Sequence, residues 1–296
     1  MNRAGIVLAY AAMVLIWGTT WLGIKLGLRS LPPITGVGLR FVLAALFLYG
    51  LALATKTHIR TRELPPRLIA VLATCMFGVN YVLTYIAETR LASGLVAVLF
   101  GTLPFFTFAM GHVILNERTT VRTWTGAAVA FLGVAVISLT GSIHASLPYA
   151  LAAVGAAAIA GFANVYLKRH SAAAPLAVLP PSMLSAGLVL AIAGLLVEHV
   201  EIRRALSLQS LAALAYLAIF GSGIAFLLNH WLLQRVDAWI VALSALLIPL
   251  LAVCVGVLLG GETFGTRDLF GAALVICGVW IALLRPRQDI VLSCEG

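Results

Sequence analysis

Polar side chains recur at helical spacing inside long apolar stretches of this 296-residue chain, and they are the groups that could bind a solute. Asn80 and Thr84 are four residues apart, as are Tyr81 and Tyr85, so each pair shares one face of a helix. Polar groups among apolar residues are costly unless they face a partner or a cavity. The pattern therefore predicts a polar cavity between helices, with hydrogen bonding between helices as the alternative.

The candidates for the wall of this cavity are polar or aromatic residues within apolar stretches. They are Trp17, Thr20, Arg40, Asn80, Tyr81, Thr84, Tyr85, Phe100, Phe162, Asn164, Asn229, His230 and Ser244. Arg40 could bind a solute carboxylate, or it could extend to the interface or bind backbone carbonyls. The aromatic rings could enclose a solute, or they could pack in the core or against lipid.

Two pairs of residues are candidates for gates and hinges. Lys25 and Lys168 each end an apolar stretch, where a cation stabilises the negative end of a helix dipole, and they could also act as gates. Pro104 and Pro249 lie in the middle of apolar stretches, where a proline removes one backbone hydrogen bond and kinks the helix. We predict that the two prolines are hinges.

Several kinds of chemistry are missing from the sequence. All ten acidic residues lie in loops, tails or the ends of apolar stretches, so no carboxylate is expected at a membrane midplane to carry a proton or bind a cation. The chain has no cluster of metal-ligating residues and no phosphate-binding loop for ATP. We therefore predict no enzyme activity, no cofactor and no metal. His230 could titrate near neutrality inside the eighth stretch, which makes proton coupling through it a hypothesis.

The elements that must hold these residues are membrane-spanning helices. The chain is 62% hydrophobic and 10% charged, whereas a soluble domain carries about 25% charged residues. This composition excludes an ordinary soluble enzyme and a disordered chain, and it predicts an all-α integral membrane protein. Ten apolar stretches are long enough to cross a bilayer: 4–26, 34–55, 67–87, 91–115, 121–140, 147–168, 175–197, 207–233, 238–260 and 268–285.

The positive charges set the predicted orientation of these helices. Twelve of the 19 Lys and Arg residues fall on one side of the membrane and six on the other, while Arg40 lies within a stretch. Since cytoplasmic loops carry the excess of Lys and Arg, both termini are predicted to lie in the cytoplasm. The chain is predicted to be a multi-pass protein of a bacterial inner membrane. The net charge of +9 is thus attributed to topology, and no nucleic-acid partner is expected.

The chain matches itself at an offset of 145 residues. The matched pairs are Arg90 with Arg235, Pro104 with Pro249, Gly111 with Gly256, Glu117 with Glu262, Arg122 with Arg267, Gly126 with Gly271, and Gly133 with Gly278. Lys25 matches Lys168 at an offset of 143. Each half then holds five spans, and an odd number inverts the second half, as in many secondary transporters. We predict repeats at 1–142 and 143–296.

Two details of this repeat carry their own predictions. Gly126, Gly133, Gly271 and Gly278 recur every seven residues, which predicts close contact between the fifth and tenth spans as a scaffold outside the cavity. Glu117 follows the fourth span and precedes Arg122, where ion pairing or helix capping is the expected role. The same expectation applies to Glu262.

Several motifs resemble one family of membrane proteins. They are WGTTWLGIK (17–25), LPP (31–33), RF (40–41), Pro104 with LNER (115–118), and Pro249 with GGET (260–263). In this order they resemble an EamA-type member of the drug/metabolite transporter superfamily. The resemblance implies ten helices in two inverted repeats, and small organic solutes, often amino acids, that are usually exported. The second half departs from the pattern, because AGFANVYLK (160–168) lacks the tryptophans and no arginine answers Arg40.

The sequence therefore favours a secondary active or facilitative transporter. It would export a small polar or zwitterionic metabolite such as an amino acid by alternating access. The alternatives are an uptake carrier or channel for another small organic solute, and multidrug-type efflux. The expected partners are the lipid bilayer and the solute, with the monomer favoured and an oligomer left open.

Overall fold

A computed structural model of the protein describes residues 3–57, 64–91, 93–138, 147–170, 172–251 and 266–284. The regular secondary structure within these ranges is helical. In chain order the principal helices are α1 (Arg3–Gly27), α2 (Pro33–Ala54), α3 (Pro66–Arg90), α4 (Leu95–Leu115), α5 (Val121–Ser138), α6 (Leu147–Arg169), α7 (Pro175–Val197), α8 (Leu208–Leu233), α9 (Ala238–Leu251) and α10 (Thr266–Leu283). One turn of helix, Ile202–Ala205, precedes α8.

The protein is a multi-pass membrane protein. Seven of the helices are long and apolar enough to cross a bilayer, and α5, α9 and α10 are shorter apolar helices. Large apolar side chains such as Leu53, Val113 and Leu196 are exposed on the outer surface, which suits contact with lipid tails. Each predicted apolar stretch overlaps one of the described helices. Residues 252–265, which hold Cys254, Gly256 and Glu262, lie outside the described ranges.

Proline marks the first turn of several helices. Pro33, Pro66 and Pro175 begin α2, α3 and α7, where the missing N–H would have no helical partner. Pro104 also occupies a first turn, because α4 is divided at Gly101 and Thr102 and its second part begins at Leu103. The interruption lies in the turn before the proline, where its ring clashes with the carbonyl four residues back, so the helix is broken at the place where Pro104 was expected to kink it.

Two glutamates cap helices that are distant in sequence. Glu198 accepts the backbone N–H groups of Ile34 at 2.9 Å and of Thr35 at 2.7 Å at the start of α2. The carboxylate of Glu117 accepts the N–H of Ala238, the first residue of α9, at 3.0 Å. Both arrangements place negative charge at the positive end of a helix dipole. Of the two roles expected for Glu117, capping is the one observed.

Small residues hold the helices in close pairs. A Cβ atom added at Gly126 on α5 would lie 2.6 Å from the carbonyl oxygen of Gly278 on α10, and one at Gly133 would lie 2.7 Å from the carbonyl oxygen of Gly271. The predicted contact between the fifth and tenth spans is thus confirmed. A second close pair joins α2 and α7, where a Cβ at Gly187 would lie 2.6 Å from the backbone nitrogen of Val42.

A π-helical segment interrupts α3 and another interrupts α8. They span Leu72–Val79 and Leu217–Ile224, so both of their ends are related by the same offset of 145 residues. Such segments weaken the normal i to i−4 bonding and are frequent at functional sites. Their matched positions extend the internal repeat from sequence to backbone conformation, and both segments face the centre of the helix bundle through buried residues such as Met76 and Ser222.

Candidate functional site

A cavity of about 100 Å³ lies at the centre of the bundle. Ten of the residues predicted for it line its wall: Trp17, Thr20, Arg40, Asn80, Tyr81, Thr84, Phe100, Asn164, Asn229 and Ser244. The wall also includes Pro249, predicted as a hinge, and Trp21, Met76 and Phe226, which sequence reasoning missed. Their apolar or aromatic character carries no signal that separates them from ordinary core residues.

Among the described residues that line the cavity, Arg40 is the one with a charged side chain. It is 1% exposed, and it does not extend to the interface. Its Nε donates to Ser222 Oγ at 2.8 Å, its Nη2 to the carbonyl of Gly221 at 3.2 Å, and its Nη1 to Tyr85 Oη at 3.3 Å. The guanidinium also lies 4.8 Å from the centre of the Tyr81 ring, within the range of a cation–π interaction.

The hydrogen bonds of Arg40 leave part of its capacity unused. A guanidinium carries five N–H donors, and three of them have partners in the described chain. No carboxylate lines the cavity among the described residues. The cavity therefore presents a fixed positive charge with donors to spare, which suits an anionic group on a solute.

The π-helical segments supply carbonyl acceptors to the cavity wall. The carbonyl of Gly221 accepts from Arg40 and also from Trp17 Nε1 at 3.3 Å. The residue that corresponds to Gly221 in the first half is Met76, whose carbonyl accepts from Asn80 Nδ2 at 3.2 Å. The two segments thus have the same role in both halves, which is to fix a polar side chain beside the cavity.

The asparagines contribute unpaired acceptors. Asn229 Nδ2 donates to Asn164 Oδ1 at 3.0 Å, which joins α8 to α6. The Oδ1 atoms of Asn229 and Asn80 are buried and have no hydrogen-bond partner in the described chain. An unpaired buried acceptor costs about 1–3 kcal/mol, so a donor from a bound solute would be favourable at both atoms.

Aromatic rings form the rest of the wall. Trp17 and Tyr81 lie 5.6 Å and 6.3 Å from Phe226 between ring centres, and Trp21 lies 6.2 Å from Phe100. These separations fit edge-to-face packing. The cavity therefore offers an apolar surface beside its polar groups.

The wall is built from matching positions of the two halves. At the offset of 143, Trp17 corresponds to Ala160 and Trp21 to Asn164; at 145, the pairs are Tyr81 with Phe226, Thr84 with Asn229, Ala97 with Ala242, Phe100 with Ala245, and Leu103 with Ile248. All fourteen residues line the cavity. The cavity thus lies where the two repeats meet, and the different side chains at matching positions make it chemically asymmetric.

Three of the predicted residues lie outside the cavity wall. Tyr85 is behind Arg40 and accepts a hydrogen bond from it. Phe162 packs against Tyr166 at 5.8 Å between ring centres. His230 is 0% exposed, and neither of its ring nitrogens has a partner in the described chain. Tyr85 and His230 each follow a residue that does line the cavity, Thr84 and Asn229, and one helical residue turns a side chain by about 100°.

The two predicted gate lysines have different surroundings. Lys168 Nζ donates to the carbonyls of Leu233 at 2.6 Å and Val236 at 2.8 Å, at the end of α8. Lys25 is exposed. Lys168 therefore stabilises the C-terminal end of a neighbouring helix, whereas the expected effect was on its own helix.

The repeat and its central cavity agree with a comparison to family models. The model of the EamA-like transporter family matches residues 3–139 and again 147–284. This chain belongs to the EamA-like transporter family. It is thus an EamA-type member of the drug/metabolite transporter superfamily, as its motifs predicted.

Curated relatives of this EamA protein match along nearly its whole length. The uncharacterized inner membrane transporter YedA of Escherichia coli (strain K12) is 28% identical over 93% of this chain and 90% of its own. The probable amino-acid metabolite efflux pump of Salmonella typhimurium (strain LT2) is 27% identical over 91% of each chain. Protein PagO of the same organism is 26% identical over 100% of this chain and 98% of its own.

A solved crystal structure supports the fold of this EamA protein. Its chain superposes with a TM-score of 0.82, at 18% sequence identity, and the match covers 95% of this chain and 98% of that one. At this identity the likeness concerns the arrangement of helices alone.

Proposed function

We propose that this EamA protein is a secondary carrier that exports a small zwitterionic metabolite, with amino acids as the leading class. Ten helices would form inverted repeats over 1–142 and 143–296. The observation that carries the proposal is the cavity at their junction, which holds Arg40 and unpaired amide oxygens without a carboxylate among its described residues. Two inverted halves around one cavity can open it to either side in turn.

The polar groups of the cavity complement a zwitterion. The free N–H groups of Arg40 suit a carboxylate, and the Oδ1 atoms of Asn80 and Asn229 suit the donors of an ammonium group. The ring of Tyr81 beside them adds a face that attracts a cation. A simple cation would be repelled by Arg40, which disfavours cationic drugs and so multidrug-type efflux.

The names of the relatives support the direction and the class of solute. A relative with 27% identity is named as a probable amino-acid metabolite efflux pump. The excess of Lys and Arg in alternate loops supports an orientation with both termini in the cytoplasm. Modification of a Lys56→Cys variant by a membrane-impermeant thiol reagent added from outside intact cells would overturn that orientation.

The first experiment is a thermal-shift screen of the twenty amino acids against the detergent-solubilised protein, followed by flux in liposomes. We expect a stabilising amino acid that also shows saturable counterflow, which separates a carrier from a channel. Its methyl ester lacks the carboxylate and its N-acetyl form lacks the ammonium, so both should fail to stabilise the protein. A screen in which no amino acid shifts the melting temperature or is transported would refute the proposed solute class.

A variant pair links the solute to the cavity. Arg40→Gln should abolish the shift caused by the amino acid, because it removes the charge that meets the carboxylate. Arg169→Gln removes a charge from an exposed residue and should leave the shift unchanged. Equal loss in both variants would show that the charge of Arg40 has no specific role.

A further inference from the structure

Two lysines at matching places in the repeats differ in their contacts. Lys168 binds the carbonyls of Leu233 and Val236 at 2.6 and 2.8 Å. Lys25, which corresponds to it at an offset of 143, is exposed and has no hydrogen bond or ion pair within the described part of the chain. The two halves are therefore in different conformations at these matching ends.

The cavity also differs between the end of the bundle that holds Lys25 and the end that holds Lys168. Thr20 and Ile24, which precede Lys25 on α1, line the cavity. Their counterparts before Lys168 on α6 are Ala163 and Leu167, which are 0% exposed and do not line the cavity. The cavity thus extends towards the end of the bundle that holds Lys25, and it is closed towards the end that holds Lys168.

Further contacts tie the Lys168 end together. The carboxylate of Glu117, after α4, accepts the N–H of Ala238 at the start of α9. Gln234 Nε2, at the end of α8, donates to the carbonyl of Ala173 before α7 at 3.3 Å. With Lys168, these bonds join the ends of five helices on the side that the loop charges assign to the cytoplasm.

We infer that the contact of Lys168 with the end of α8 closes the cytoplasmic side, and that Lys25 makes the equivalent contact when the outer side closes. The backbone carbonyls that would receive Lys25 are those of Glu88 and Leu91, which correspond to Leu233 and Val236 at the offset of 145. The inference rests on the proposed alternating-access function. It gives each lysine a place in the cycle: one is bound to carbonyls while the other is free.

The charge-assisted hydrogen bonds of each lysine set how strongly it stabilises the conformation in which those bonds form. The loss of a hydrogen bond to a charged group shifts a two-state equilibrium by about tenfold or more, and tenfold corresponds to about 1.4 kcal/mol. Losing the contact of Lys168 should therefore shift the ratio of outward-open to inward-open protein by tenfold or more towards the inward-open state. Losing that of Lys25 should shift the ratio the other way.

The test measures how accessible a residue in the cavity wall is to a reagent, and this measurement does not depend on transport. The reporter is Ala97→Cys in the cavity wall, with the four native cysteines replaced by serine, and a membrane-impermeant thiol reagent is added to sealed right-side-out vesicles. Lys168→Met should lower the ratio of the labelling rate in right-side-out vesicles to that in inside-out vesicles by tenfold or more. Lys25→Met should raise the same ratio. The double variant should return towards the parent.

Matched controls remove the same charge without the carbonyl contacts. Arg169→Met and Arg29→Met alter exposed neighbours of the two lysines and should leave labelling unchanged. Equal effects of Lys168→Met and Arg169→Met, or shifts of both lysine variants in one direction, would overturn the inference. Amino-acid flux is measured on the same vesicles. Opposite labelling shifts without flux would refute the proposed solute class while leaving the lysine contacts standing, and flux without labelling shifts would do the reverse.

Discussion

Arg40 on α2 donates from Nε to Ser222 Oγ in the π-helical segment of α8, at 2.8 Å, and this bond joins the two repeats beside the cavity. The arginine is buried, and Ser222 is 0% exposed. The hydroxyl thus helps to hold the guanidinium with its free donors beside the cavity. Ser222 carries no feature in the sequence that distinguishes it from the serines that only bond their own helix.

Ser222→Ala should weaken both the fold and solute binding. It leaves a buried donor of Arg40 unpaired, which costs about 1–3 kcal/mol, and it frees the guanidinium to turn. We expect a lower melting temperature in detergent and a raised KM for the exported amino acid. Ser185→Ala is the matched control, because Ser185 is exposed and bonds the carbonyl of Pro181 in its own helix. A normal KM for Ser222→Ala would contradict a positioning role.

Gly126→Ala should destabilise the contact between α5 and α10. The added methyl would lie 2.6 Å from the carbonyl oxygen of Gly278, and the backbones must separate to admit it. Overpacking of this kind costs about 1–3 kcal/mol. Gly50→Ala is the control within α2, since no atom lies within 4 Å of the added methyl. Unfolding in detergent, followed by circular dichroism, should show loss of stability in the first variant alone.

Glu117 should make stability depend on pH in the direction opposite to that of a carboxylate whose pKa is lowered on folding. Burial raises the pKa of Glu117, although its bond from the Ala238 N–H opposes the rise. The folded protein then binds the proton more tightly than the unfolded chain, whose glutamate pKa is about 4.3. This contribution is fully present below pH 4.3 and is lost as pH rises through the folded pKa.

The comparison with Glu117→Gln isolates that contribution. The wild-type melting temperature should fall relative to that of Glu117→Gln as pH rises from 4 to 7. Glu201→Gln, at an exposed residue paired with Arg204 on the surface, should show no such trend. A difference that grows in favour of the wild type with rising pH would mean that the bond to Ala238 outweighs burial.

His230→Leu should preserve transport and its pH profile. His230 lies outside the cavity wall, and its ring nitrogens have no partners within the described residues. Replacing a buried unpaired polar side chain by an apolar one of similar size is neutral or stabilising. We therefore expect an equal or higher melting temperature and unchanged pH dependence of liposome flux. A flux that loses its pH dependence in this variant would restore the hypothesis of proton coupling through His230.

The sequence predicted the helices and their repeat well, because a bilayer leaves the chain few choices. Apolar stretches must become helices to satisfy their own backbone groups in lipid. The offset of 145 then indicated two halves, and the loop charges predicted an orientation. Pro104 predicted a kink in the fourth span, and α4 is divided just before it, because the ring of a proline clashes with the turn that precedes it.

Ten of the thirteen residues that the sequence predicted for the cavity line its wall, because a polar residue within an apolar stretch has few other places to lie. The sequence could not choose between neighbours such as Asn229 and His230, or Thr84 and Tyr85. Only one of each pair lines the cavity. The choice depends on how each helix is rotated against the others, which the packing of all the helices determines together.

The sequence by itself determined the class of the protein, its apolar stretches, its repeat and the shortage of charge in its interior, since these follow from composition and spacing. Only the tertiary structure decided the π-helical segments, the partners of Arg40, and the different contacts of Lys25 and Lys168. Those contacts join residues as far apart as 182 positions. Their energies depend on distances that exist once the helices have packed, and two matching lysines in one chain can therefore occupy two different states.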